Sequence, residues 1–347
     1  MVLRIDKLTK ITGLIVFCFL FKSAGLLGQK RWEKDSTYIT SYADKFVLKL
    51  NVDTQTSSYE LRDLSGRELN LEHNNTYRLY VSLDYQFFGL SFGIAPDIFG
   101  GEDNLNLKGE SSMTDFRFRA ALGNWVQGFQ FSTLKGFYVD NTGDFVPDWM
   151  EGIDPYIQIP DFTNRIYGMS THYVLNPNFS FRNILYNTEW QKKSAGSWIP
   201  SLFYGWEDFE YTFEGVKSDE NIFQLKLALP YYHTWVLNEN WFVGVNISPS
   251  LGVSFSRYKE DVADMRIEES RTYLTRGIEG GIQIGYAAER WVFGSSFVFD
   301  VNGYDEERLG SVENNKFFAQ VYVGYRLNTP GFIDRGYNKA ARKIGLQ

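Results

Sequence analysis

General-base chemistry in this chain would have to start from three histidines, His73, His172 and His233. His172 follows Ser170 by two residues, and in an extended strand residues i and i+2 share a face. A serine–histidine dyad is therefore geometrically available. Outer-membrane lipid deacylases and phospholipases carry the reverse order, His-x-Ser, and residue 174 is Val. The plainer reading is two polar groups facing a lumen or rim. His233 lies beside Tyr231, Tyr232 and Trp235 and reads as interfacial; His73, beside Asn74 and Asn75, reads as loop. An omptin-like protease needs two close aspartates and an Asp-His couple, and no such couple is found. The expectation is a non-enzyme with no catalytic residues, no cofactor and no protein-held metal.

Two segments are acidic: Asp140, Asp144, Asp148, Glu151 and Asp154 in 139–160, and Glu260, Asp261, Asp264, Glu268 and Glu269 in 258–270. Clustered carboxylates suit calcium, so a loop calcium is one reading and a solvated charged loop the other. Lys192, Lys193 and Ser194 form a third candidate. The lysines could meet lipopolysaccharide phosphates or a partner protein, or the run could be a polar turn whose Gly196 supplies backbone freedom. Trp149, Pro155, Tyr156 and Ile157 make 139–160 apolar enough to fold inward as a plug.

The elements that must position these groups are strands. The chain has 347 residues, 44% hydrophobic and 17% aromatic, with 31 Gly and one Cys. Such aromatic content excludes disorder, and a single cysteine excludes a disulfide scaffold. Trp241, Val243, Val245, Ile247, Pro249, Leu251, Val253 and Phe255 alternate with Phe242, Gly244, Asn246, Ser248, Ser250, Gly252 and Ser254. Period 2 over that length means one strand with chemically opposite faces. The pattern returns in 278–286, 291–300 and 316–327. Strands of a soluble sandwich are shorter; a membrane barrel needs about 9 to 11 residues per crossing. Trp241, Phe255, Tyr286, Trp291 and Tyr325 near strand ends fit an interfacial girdle. The expected fold is all-β: a transmembrane antiparallel outer-membrane barrel of 12–14 strands. Fourteen candidates include 36–51, 54–62 and 178–191, with long polar connections at 97–110, 139–160, 206–220, 258–270 and 304–314. The alternation of short turns and long loops fails before residue 196, where two short turns follow in succession.

The first residues are a separate object. Arg4, Lys7 and Lys10 precede an apolar run from Ile11 to Phe21, followed by Ser23, Gly25 and Gly28. That is the anatomy of a signal peptide, with cleavage after Gly25 or before Gln29. Cys18 lies within the run, so the mature chain has none. Removing 1–28 takes away four basic residues and one acid, leaving the chain more acidic than its overall −7. A nucleic-acid partner is not suggested. The domain plan is a signal peptide over 1–28, a barrel over 29–327 and a short polar extension over 328–347.

Local motifs point to a family. In order they are the opening stretch 36–51, Lys108-Gly109 before Thr114-Asp115-Phe116-Arg117, Leu134-Lys135-Gly136-Phe137-Tyr138, Tyr173-Val174-Leu175-Asn176 before Phe179-Ser180-Phe181-Arg182, and Gln191-Lys192-Lys193-Ser194-Ala195-Gly196-Ser197. Together they resemble the Bacteroidota family catalogued as domain of unknown function 4421. The resemblance implies an outer-membrane barrel in a Gram-negative cell and brings no activity. The functional expectation is a non-enzymatic barrel acting as scaffold or subunit in envelope assembly, integrity or secretion. A passive or selective channel for small solutes and a barrel enzyme acting on lipid are the alternatives. Outer-membrane lipid, lipopolysaccharide and other envelope proteins are the expected partners.

Overall fold

Alternation becomes a wall with two chemistries. The computed structural model describes residues 35–62, 68–74, 77–96, 101–213, 216–262, 265–306 and 310–343; the signal-peptide reading and its cleavage sites lie outside them. The strands are β1 (Ile39–Ser41), β2 (Lys45–Arg62), β3 (Glu68–Glu72), β4 (Arg78–Tyr85), β5 (Phe88–Ile94), β6 (Ser112–Leu122), β7 (Trp125–Val139), β8 (Ile157–Tyr173), β9 (Glu189–Gln191), β10 (Ala195–Trp198), β11 (Ser201–Phe213), β12 (Val216–Ala228), β13 (Tyr231–Val236), β14 (Trp241–Val262), β15 (Met265–Ala287), β16 (Trp291–Glu306) and β17 (Gly310–Asn328). Among the described residues three α-helices are interspersed: α1 (Gly101–Lys108), α2 (Phe181–Leu185) and α3 (Gly331–Lys343).

Among the described residues the main sheet has fifteen strands, which resolve into twelve staves. β3 sits off the ring as a flap on β2 and the end of β7. β10 and β11 form one stave interrupted at Ile199-Pro200, and β12 and β13 another interrupted at Leu229-Pro230, because both pairs keep one register across the break. Proline has no N–H to give the ladder, so it marks such breaks. Each stave pairs antiparallel with its sequence neighbour, and β17 pairs with β2 along nearly its whole length, from Ser311↔Arg62 to Asn328↔Lys45. Closure removes the unpaired edge that a membrane sheet could not tolerate.

Leu251 (64% exposed), Ile282 (53%) and Val321 (56%) point outward, while Phe242, Ser248 and Ser254 on the alternate face are buried. The apolar face of β17 runs from Phe317 to Leu327. At a rise of about 3.3 Å and a tilt near 40°, that run gives a band about 25 Å tall. Trp241 with Tyr286 (ring centroids 5.3 Å apart), Trp291 with Tyr325 (4.8 Å) and Trp125 with Tyr173 (4.7 Å) collect at one end. That end carries the short turns at 86–87, 123–124, 237–240 and 288–290 and both ends of the ring. In bacterial outer-membrane barrels the short-turn end faces the periplasm.

Twelve staves replace the count of fourteen for two reasons. The candidates 36–51 and 54–62 fall largely on one strand, β2. The candidate 178–191 is no stave at all: it folds as α2 and the short β9. The connections expected at 206–220, 258–270 and 304–314 are largely strand, because β11 to β12, β14 to β15 and β16 to β17 continue as tall hairpins. The C-terminal extension contains helix α3, whose Tyr337 packs on Tyr85 (5.5 Å) and Phe87 (5.5 Å).

Candidate functional site in the barrel lumen

Inward faces of the staves carry small and polar side chains, so the lumen could have been an open aqueous path. It is filled at two levels instead. The lower filling is the connection 174–194 between β8 and β10, which turns into the barrel from the short-turn end. Ser180 caps α2: its hydroxyl accepts from Asn183 N (3.0 Å) and donates to Glu189 Oε2 (2.5 Å). Gln191, fully buried, accepts from Ser180 N (2.7 Å) and donates to Asn178 O (2.8 Å) and Lys193 O (2.9 Å). These bonds fold the segment on itself before it meets the wall.

The wall then grips it. Lys49 of β2 pairs with Asp84 of β4 at 3.0 Å, both buried, and also donates to Leu185 O and Asn187 Oδ1 (both 3.3 Å). Arg326 of β17, 1% exposed, donates to Asn187 O from Nε (3.2 Å) and Nη2 (2.9 Å) and to Ala288 O, with Tyr42 stacked 4.0 Å from its guanidinium. Arg119 of β6 lies 5.2 Å over the Tyr186 ring. Cations meeting the carbonyl end of a short helix is the favourable polarity. On the apolar side, Phe179, Phe181 and Tyr186 are buried with Ala121, Val126 and Ile199, and Trp190 meets Phe242 edge-on at 5.7 Å. Gly89 of β5 makes room: a Cβ there would lie 2.4 Å from Asp84 Oδ1 and 2.8 Å from the Tyr186 ring. β1 pairs with β9, tying the start of the described chain to the plug.

The upper filling is a cluster of Tyr59, Tyr80, Met113, Phe137, Phe162, Phe209 and Ile222. Polar groups at its edge bond to one another. Asn164 donates to Tyr59 Oη (2.7 Å) and Glu207 Oε1 (2.8 Å), and Arg117 grips Asp115 with Nε at 2.7 Å and Nη2 at 3.2 Å. A cavity of about 320 Å³ remains on the β6–β12 side of the lumen, lined by Arg119, Gln130, Ser170, Phe203, Glu207 and Lys226 among others.

Ser170 and His172 do share the inward face. His172 Nε2 is 3.0 Å from Ser170 Oγ, and Nδ1 is 2.8 Å from Ser201 Oγ on the paired strand. Ser201 already donates to Ile199 O (2.8 Å). It therefore accepts from Nδ1–H, which leaves Nε2 to accept from Ser170. That is the hydrogen-bond order of a nucleophile and its base. The ring is closed in by Phe181 of the plug (5.8 Å) and Phe203 (5.4 Å), and it faces the lumen rather than the lipid. Ser201 was not among the residues singled out in the sequence; the signal for it is only its place opposite His172 in the register.

Lys192, Lys193 and Ser194 are exposed at the short-turn end. Lys192 Nζ donates to Ser36 O (2.9 Å), Lys193 lies 5.0 Å over the Tyr38 ring, and Ser194 Oγ accepts from Val236 N (3.0 Å). Trp149, Tyr156 and Ile157 lie at the opposite end. Trp149 meets Tyr156 edge-on (4.8 Å), and Ile157 begins β8 and packs against the upper cluster. His73 is buried next to Phe137 at the outer rim, where loss of hydration and then Arg78 hold its imidazole down at about 4. His233 lies 4.5 Å from the Trp235 ring near the lower end. Among the described residues, no three acidic, histidine or cysteine side chains converge as a metal site.

A family model described as "Domain of unknown function (DUF4421)" matches residues 33–327. No curated protein matches the chain. Among solved structures, the outer membrane protease OmpT from Escherichia coli is 9% identical, with 83% of this chain and 98% of that one covered at a TM-score of 0.39. The P. putida toluene transporter TodX is 10% identical over 83% and 91%, at 0.30. The attachment invasion locus protein Ail of Yersinia pestis is 9% identical over 82% and 98%, at 0.23.

Proposed function

We propose that this chain, which belongs to the DUF4421 family over residues 33–327, is an outer-membrane barrel whose role is structural: a scaffold or subunit in envelope assembly, integrity or secretion. An even number of antiparallel staves, full closure and an outward apolar band support the membrane setting. The observation that carries the scaffold reading is the inward fold of 174–194, held by buried Lys49 and Arg326. A passive pore gains nothing from ordering a long segment across its own path, since ordering costs about 1–2 kcal/mol per residue in backbone entropy. The cavity above the plug, into which Arg119, Glu207 and Lys226 reach, favours a second reading, a solute channel that opens when the plug moves. A lipid enzyme fits less well, because His172 points away from the acyl chains.

Lys192 and Lys193 sit at the end assigned to the periplasm, which favours a periplasmic protein over lipopolysaccharide as their contact. Planar-bilayer recording of the purified full-length protein tests the role. The scaffold reading predicts no steady conductance; persistent openings in most insertions would replace it with the channel reading.

A further inference from the structure

The long connection at the other end, 140–156 between β7 and β8, is built to present apolar side chains to solvent. Phe145 (42% exposed), Met150 (54%) and Ile153 (67%) stand off the loop, above the strand ends and clear of the lipid-facing band. The loop that carries them is braced. Trp149 Nε1 donates to Pro155 O (3.0 Å), and Asp154 accepts from Met150 N (2.9 Å). Thr142 donates to Val139 O (2.5 Å) and accepts from Ile157 N (3.0 Å), stitching the base shut. Asp148 and Gly152 take left-handed conformations (φ 60° and 78°) that set its reversals.

Solvent gives no reason to fix large apolar groups in this way; a patch of this kind marks an interaction surface. Charge decides what it meets. Between 139 and 160 there are carboxylates at 140, 144, 148, 151 and 154, while no Lys, Arg or His occurs. Lipopolysaccharide phosphates repel such a loop, so the apolar tips are not aimed at the lipid surface. A protein that offers an apolar groove rimmed by lysine or arginine answers both features.

We propose that 140–156 is a preformed docking loop for a protein partner of that chemistry on the outer side of the cell. Phe145, Met150 and Ile153 enter the groove, and Asp144, Asp148 and Glu151 meet its basic rim. Because the loop is already ordered, binding costs little in conformational entropy. The proposal rests on the outer-membrane reading, and its test separates the two.

p-Benzoylphenylalanine is placed at Met150 or Ile153 of the full chain in its native cells, with Leu237 at the short-turn end as control. Separately, Glu110→Cys, exposed at the same end but outside 140–156, is labelled on intact cells with a membrane-impermeant maleimide. Failure of that labelling counts against the location, whatever the cross-links show. With the location established, a single protein adduct is expected whose cross-linked peptide is net basic. Its yield should fall at least about tenfold when Asp144, Asp148 and Glu151 are changed to amides, and again when Phe145 is changed to Ser. Adducts to lipid, adducts to a second copy of this chain, or a yield no greater than that at Leu237 would overturn it. Normal β-barrel heat-modifiability of each variant excludes misfolding as the cause of a loss.

Discussion

Segments 140–156 and 174–194 both connect neighbouring staves, and both carry aromatic residues that a core could use. One stands outside the barrel and the other fills it. The difference lies in their polar side chains. The outer segment carries carboxylates and no cation, and burying an ionised carboxylate without a partner is costly. The inner one carries amides and hydroxyls at Asn176, Asn178, Ser180, Asn183, Asn187 and Gln191, with a single acid, Glu189, paired to Arg182 at 3.6 Å. Asn176, Ser180, Asn187 and Gln191 hydrogen-bond within the segment, and carbonyls at Leu185 and Asn187 are left for the cations of the wall. Aromatic content alone does not say which connection goes in; the ability to satisfy buried polar groups does.

The contrast can be broken at specific residues. The largest effect is expected at Arg326. Arg326→Met leaves Asn187 O and Ala288 O buried without their donor and should lower unfolding stability by on the order of 3 kcal/mol. The urea midpoint in lipid or detergent checks this, and a change below about 0.5 kcal/mol would remove the wall's grip as the holding interaction. Next is Gly89→Ala, where the added methyl must displace Asp84 or Tyr186. A loss of about 1–3 kcal/mol is expected, and proteolysis within 174–194 should become faster with it.

The outer rim carries a buried histidine. His73 is held from 6.5 down to about 4 by burial and by Arg78. Its neutral form is the folded one, so its contribution is complete above pH 6.5. It is lost as the pH falls from 6.5 towards 4, at about 1.4 kcal/mol per unit. His73→Leu should flatten the stability profile over that window; an unchanged slope would show that the imidazole is hydrated. The smallest effect is expected on the outer loop. Phe145→Ser and Ile153→Ser should each change stability by no more than about 0.5 kcal/mol, since neither side chain is packed. A larger loss in the same urea assay would mean that the loop supports the fold.

The barrel wall was legible from sequence because its faces alternate without interruption. Trp241 to Phe255 and Phe317 to Leu327 point where period 2 places them. The stave count was not, because Phe179, Phe181, Leu185 and Trp190 give 178–191 the apolar content of a strand. Nothing local distinguishes apolar groups that face lipid from groups that face a lumen. The strands at 206–220 and 258–270 are hidden in the sequence because the hairpins above the membrane band lose their apolar face while keeping their ladder. Ser170 and His172 were placed on one face correctly, whereas Ser201, Lys49 and Arg326 depend on register and closure.

Whether 174–194 is the buried connection and 140–156 the exposed one is tested most directly by thiol labelling of two variants, each in a Cys18→Ser background. Thr188→Cys reports on the plug, where Thr188 is 1% exposed, and Ile153→Cys reports on the loop at 67%. In folded protein in lipid, the thiol at 153 should react at the rate of a free cysteine and the thiol at 188 at least about a hundredfold more slowly, becoming equal only in denaturant. Equal rates in the folded state would contradict an inward plug.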